Sequence, residues 1–114
     1  MNRKDWQRLL DRDLGRCVHC GETEAISPNH RGNRGMGGSK ALDKPSNLIL
    51  LCSEMNTLIE SSNRYAEQAK FFGWKISKWD TPENVAVFDY LAQKWFYLDN
   101  AWNRREIDEN RQSI

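Results

Sequence analysis

A histidine stands at the root of a glycine-rich, basic loop. Residues 27–38 read SPNHRGNRGMGG, with His30 followed by Arg31 and Arg34 among four glycines. A neutral imidazole can take a proton from water near neutral pH. Guanidinium forks and the open amides of such a loop suit phosphate oxygens. Arg31, Arg34, Lys40 and Lys44 stand against Asp43 alone, so the loop is locally basic. Most basic loops are merely solvated, but a histidine at the root strengthens the signal. The expectation is that His30 activates a water against a phosphate, while the four cations hold a nucleic-acid backbone.

Such a reaction calls for a divalent cation to neutralise charge at the scissile phosphate. Asn29 adjoins His30 in sequence. Asn56 falls in the first turn of a following helix, and Glu60, four residues on, shares its face. These three are the candidate ligands of Mg²⁺ or Mn²⁺. Two are neutral amides, so the ion would be held weakly. The bland alternative for Asn56 and Glu60 is a solvated helix face. Three cysteines, two of them in a C-x2-C pair at Cys17 and Cys20 with Cys52 apart, fit a reducing compartment better than a disulfide framework.

The elements that must position these groups are partly legible. Trp6, Leu9, Leu10 and Leu14 recur at helical spacing over residues 3–14, with Asn2 as cap and Gly15 as stop. Residues 17–21 read as a tight turn in which His19 is exposed, residues 25–30 as a short strand, 31–46 as a long loop, and 47–52 as an apolar strand. From Ser53 the period becomes helical through Met55, Leu58, Ile59, Ser62, Ala66 and Ala69, with Ser53 as cap and Gly73 as stop. A short strand and a turn are expected in WKISKWDTP, and two strands about a turn near residues 91–93 in VAVFDYLAQKWFYLD. Five tryptophans serve a small core. The whole is an α+β chain of one domain over residues 1–102, with a hairpin at about 85–98 and a polar tail over 103–114.

The order Asn29-His30, then Asn47, then Asn56 resembles the His-Asn-His motif of the HNH endonucleases. HRGNRGMGGSKALDKPSNLILLC is similar to small HNH proteins of actinobacterial phages. The resemblance spans residues 14–76 and implies a ββα-metal core, to which this chain adds an N-terminal helix and a C-terminal β-hairpin. It implies that His30 is the general base of a DNA endonuclease or nickase, that Asn47 holds the loop by hydrogen bonding, and that Asn29 and Asn56 hold the catalytic ion. It also implies a structural zinc on two C-x2-C pairs. Here the second pair is Cys52 with Met55, so three thiolates plus water are one outcome, and three packed thiols the other.

Composition narrows the field. Lys+Arg is 17 and Asp+Glu is 16, so overall charge does not mark a nucleic-acid binder and any footprint is local. With no membrane-length apolar run or signal-peptide core, the expectation is a soluble, cytoplasmic protein, of a bacterial host if phage-encoded. The expected partner is the DNA backbone, not a membrane. The alternative is a degenerate HNH-fold module that binds DNA or a phage or host protein without cutting. Neutral Asn29 favours it, and Phe88, Tyr90, Trp95, Phe96 and Tyr97 offer it a surface.

Overall fold

The chain is seen in a computed structural model that describes residues 1–32 and 43–108. Helix α1 covers Arg3–Arg12, and the Asn2 side chain accepts the Asp5 N–H at 2.8 Å, as its cap. Strands β1 (Ile26–His30) and β2 (Leu48–Cys52) pair antiparallel, from Ile26 opposite Cys52 to His30 opposite Leu48. Every residue of β2 is buried. The strand alternation explains how: Leu48 and Leu50 pack on Leu9 of α1, while Ile49 and Leu51 join Cys17, Val18, Met55, Ile59 and Trp74 in the main core. A continuous apolar run is therefore correct for a strand covered on both faces.

The helix expected from Ser53 to Gly73 is two, α2 (Ser53–Ser61) and α3 (Asn63–Phe71). Ser62 between them is extended, at φ −127° and ψ 124°. Ser61, Ser62 and Asn63 are poor helix formers whose side chains compete for backbone groups, and the Ser61 hydroxyl donates to Thr57 O at 2.8 Å. The cap of α2 is Cys52, not Ser53: its sulfur accepts the Met55 N–H at 3.5 Å.

A second antiparallel sheet holds β3 (Val87–Asp89), β4 (Lys94–Leu98) and β5 (Arg104–Ile107) in that order. Strand β5 corrects the expected polar tail, whose start is an edge strand. Arg104 donates to the buried Asp89 at 3.1 Å and its guanidinium lies 3.8 Å from the Phe96 ring centroid, so its side chain anchors the edge while polar neighbours face out. WKISKWDTP forms a turn and then a 3-10 helix at Pro82–Asn84 instead of a strand. Phe88, Trp95 and Phe96 are buried, so most of the hairpin's aromatic side chains belong to the core and not to a free surface.

The second sheet is fastened to the first half at Gly73. Its φ is +76°, and a Cβ there would meet Ala86 O at 1.9 Å. Beside it Trp74, wholly buried, donates its indole N–H to Phe88 O at 2.7 Å. No helix among the described residues is long and apolar enough to cross a membrane.

Candidate functional site

The two ends of the β1–β2 ladder carry the two sets of groups singled out in the sequence. At the His30 end the chain turns immediately, and buried polar side chains fix the turn. Asn47 is wholly buried; its carboxamide oxygen accepts the Gly32 N–H at 2.8 Å and its NH₂ donates to Gly32 O at 3.0 Å. Arg31 N–H adds a bond to Asn47 O at 2.8 Å.

Arg31 itself corrects the sequence reading. It is 1% exposed and cannot grip a phosphate. Its guanidinium donates to Gly73 O, Ser46 O, Pro82 O and Val85 O at 2.7–3.0 Å, joining four separate backbone positions. Burial, with the Arg12 charge adding to it, pulls its pKa down to about 9, so the cation persists at neutral pH. Arg34 and Lys40 lie outside the described residues. Lys44 is exposed and precedes the 3-10 turn Pro45–Asn47.

The His30 ring stays partly open to solvent. Its Nε2 lies 2.7 Å from Asp43 Oδ1, with side chains 36% and 56% exposed. If the Nε2 proton is donated to that carboxylate, Nδ1 keeps its lone pair for a proton from water. Below the ring's own backbone, Lys75 Nζ donates to His30 O at 2.9 Å. Burial lowers the Lys75 pKa, and the Glu60 carboxylate acts in the opposite sense, so Glu60 of α2 lies within electrostatic reach of the group that holds His30. Asn56 shares the Glu60 stripe of α2, and is half-buried beside Met55. Asn29 does not converge. Alternation puts its side chain on the opposite face of β1 from His30, where its NH₂ donates to Ser27 O at 3.1 Å and Ser27 Oγ at 3.3 Å.

At the other end of the ladder, Cys17, Cys20 and Cys52 bring their sulfurs within 4.8 Å of one another, close enough to bind a metal ion. Cys20 Sγ and Cys52 Sγ are 3.6 Å apart. Bonds of ~2.3 Å in tetrahedral geometry put two zinc-bound sulfurs about 3.8 Å apart, whereas a disulfide needs about 2.0 Å; the spacing is too long for a disulfide and suits either co-ligands or packed thiols. No other His, Cys, Asp or Glu among the described residues joins the group. Glu22, Glu24 and Glu54 border the adjoining hollow. Burial, reinforced by the neighbouring thiols, pushes the Cys20 thiol up to about 12, so a cation is what would deprotonate it. Met55 is buried and fills space in the core. His19 is no exposed turn residue: its Nε2 lies 3.1 Å from Gln68 Oε1 and its ring packs 4.8 Å from that of Trp74.

The chain matches no family model, no curated protein and no solved structure. Function must therefore be argued from the side chains themselves.

Two members of the His30 site, Asp43 and Lys75, were not among the candidates from sequence. Asp43 counted there only against the loop's charge. Its signal was weak: one acid among four bases, thirteen residues from the histidine. Lys75 lies 45 residues away in an apolar stretch, and no local spacing marks it.

Proposed function

We propose that the chain is a divalent-metal-dependent endonuclease or nickase that hydrolyses DNA phosphodiesters, on an HNH-like ββα-metal core, with His30 as general base. The observation that carries this reading is the 2.7 Å pair of His30 Nε2 with Asp43, at the end of a hairpin whose second strand runs directly into α2. A carboxylate on one ring nitrogen fixes tautomer and orientation and leaves the other to act. His30 Nδ1 takes the proton of an attacking water as the new P–O bond forms. The opposite P–O bond breaks and its oxygen leaves with a proton from solvent. Asn47 keeps the Arg31–Gly32 turn from moving away, and Lys75 holds the His30 backbone and adds positive charge.

Glu60 and Asn56 offer the hard oxygen donors that Mg²⁺ or Mn²⁺ takes, one of them charged, and so fit such an ion. When bound, it would neutralise charge on the scissile phosphate and leaving oxygen. Cys17, Cys20 and Cys52 suit a structural zinc completed by water. Lys44 is the one described member of the loop's cations still free to meet a phosphate. Supercoiled plasmid, incubated with the protein and Mg²⁺ or Mn²⁺, should be nicked or linearised, and His30→Ala should leave it intact. Equal plasmid loss in both samples rejects His30 as base.

One observation favours a second reading, a module that binds DNA or a phage or host protein without cutting. Asn29 turns onto Ser27, leaving the ion only the Asn56 amide and the Glu60 carboxylate. Calorimetric titration with Mn²⁺ in the presence of DNA separates the two: no metal uptake supports the non-cutting module.

A further inference from the structure

Trp79 is 83% exposed, more than any other large apolar side chain among the described residues; Leu91, the next, reaches 59%. The other aromatic residues named so far mostly serve the core; this one does not. Its turn is closed from both sides: Asp80 N–H donates to Ser77 O at 3.0 Å, Ser77 N–H to Asp80 Oδ2 at 2.9 Å, and Trp79 N–H to Ser77 Oγ at 3.1 Å. A fixed turn thus presents an exposed indole to solvent. The Lys78 ammonium lies 4.9 Å from the ring centroid.

The surroundings match a polyanion with flat rings. A hollow of about 460 Å³ adjoins the turn, with Ile76 and Val85 as apolar lining and Lys70 and Lys75 as cations. Its one acid, Asp80, accepts the Ser77 N–H on Oδ2, and its charge is felt by the buried Arg31 cation. Lys70 is 3.5 Å from Glu67, but both are well exposed, so a screened pair of this kind gives way to a phosphate at little cost. Two of its lining residues are bonded to the backbone of the His30 turn. Lys75 donates to His30 O, and Ile76 N–H donates to Arg31 O at 3.0 Å. Trp79 follows Ile76 by three residues, a reach of at most about 11 Å.

We infer that Trp79 is a stacking platform for an unpaired nucleobase of a single-stranded nucleic acid, whose backbone runs over Lys70, Lys75 and Lys78 toward His30. This rests on the phosphodiester reading of His30 for the direction of the strand, not for the stacking itself. A base paired inside a duplex shows only its edges, whereas an indole needs a free π face. The site is therefore selective for strand state and tolerant of sequence.

The test is a fluorescence titration of the whole protein with oligothymidylate, with no Mg²⁺ or Mn²⁺ added so that no cleavage occurs and the thiol site keeps any zinc. Trp74 and Trp95 are buried and Trp6 and Trp102 half-buried, so binding at Trp79 should quench the most solvent-exposed part of the emission, the part that Trp79→Ala removes. Trp79→Ala should remove that quench and weaken binding roughly tenfold, and Trp79→Phe should retain part of the affinity. Both variants alter an exposed side chain, and circular dichroism checks their folding. His30→Ala should quench like the wild type, so failure of the plasmid assay leaves this result standing. Equal affinity for the oligonucleotide and its duplex, or undiminished binding by Trp79→Ala, overturns the inference, whatever the plasmid assay gives.

Discussion

The two ends of one five-residue ladder are held by different physics. At the Cys52 end, two residues of a C-x2-C turn and one strand terminus bring three sulfurs together. At the His30 end, Arg31 and Asn47 satisfy backbone groups drawn from residues 32, 46, 73, 82 and 85. Four strand steps of ~3.3 Å separate the ends by roughly 13 Å. An ion held by the first end could be taken away; the side chains that fix the second cannot. The end proposed for chemistry is the one whose shape does not depend on a dissociable ion.

The largest effect should come from breaking the permanent lock. Arg31→Met strands four buried carbonyls, each costing about 1–3 kcal/mol. The sum reaches the whole margin of a small domain, about 5–15 kcal/mol. The variant should be insoluble or show no cooperative unfolding transition. Arg31→Lys should fare little better, since an ammonium cannot span four acceptors in the guanidinium's plane. A well-folded Arg31→Met would mean that the His30 end is held elsewhere. Asn47→Ala tests the same lock more gently. It orphans the N–H and C=O of Gly32, for a loss of about 2–4 kcal/mol in denaturant unfolding.

The removable lock should answer to chelators instead. Zinc at 100 times its dissociation constant would add about 2.7 kcal/mol, or roughly 10 °C in melting temperature for a chain of this size. Thermal melts with and without a chelator should differ by that order, and Cys52→Ser should abolish the difference. Met55→Cys sharpens the point: Met55 is three residues past Cys52, its backbone N–H already bonded to the Cys52 sulfur, and a thiolate that joins the group should enlarge the chelator shift. A chelator shift unchanged by Cys52→Ser would show that the ion sits elsewhere.

How much of each end could be read beforehand follows from the same contrast. The thiol group was legible because C-x2-C is a local pattern, and β2 because five apolar residues in a row need little context. The two sides of β2, one on Leu9 and one on Trp74, were not stated by that run. Arg31 was misread because an arginine among glycines looks like a solvated side chain, and its acceptors lie 15–54 residues further on. The break at Ser62 was hidden because the apolar spacing continues across it. Strand β5 was hidden because its outward residues are charged and its anchor, Asp89, is fifteen residues away. Sequence patterns register periodic burial; they do not register a single polar side chain that collects distant carbonyls.

Acid offers a smaller test, at the thiol end alone. Arg16, just before Cys17, pairs with Asp89 at 3.1 Å and so ties the cysteine turn to the second sheet. Burial would raise the Asp89 pKa, but the Ala92 N–H, Arg104 and Arg16 outweigh it, and the net shift is downward from 3.8. A depressed folded pKa means that the folded state binds fewer protons than the unfolded one. The stabilisation is therefore complete above pH 3.8 and is lost as pH falls toward and through the lower folded value. Denaturant midpoints in this acid window should fall less steeply for Asp89→Asn, which starts lower at neutral pH. Parallel curves for the two proteins would count against the pairing.

The smallest expected effect on stability is the one that bears most on function. The His30 side chain is partly open to solvent and its bond to Asp43 joins two exposed groups. Exposed pairs of this kind contribute about 0–1 kcal/mol. His30→Ala should thus unfold within about 0.5 kcal/mol of the wild type, while Arg31→Met, one residue away, should fail to fold. If plasmid cleavage vanishes in His30→Ala at unchanged stability, the loss belongs to the imidazole and not to the hairpin. Asp43→Asn then separates orientation from charge: an amide can still accept the ring N–H but stabilises a protonated imidazole less. Its cleavage rate should fall well below wild type yet stay above His30→Ala. A rate equal to wild type would remove Asp43 from the site, and equally slow variants would make the carboxylate as necessary as the ring it holds.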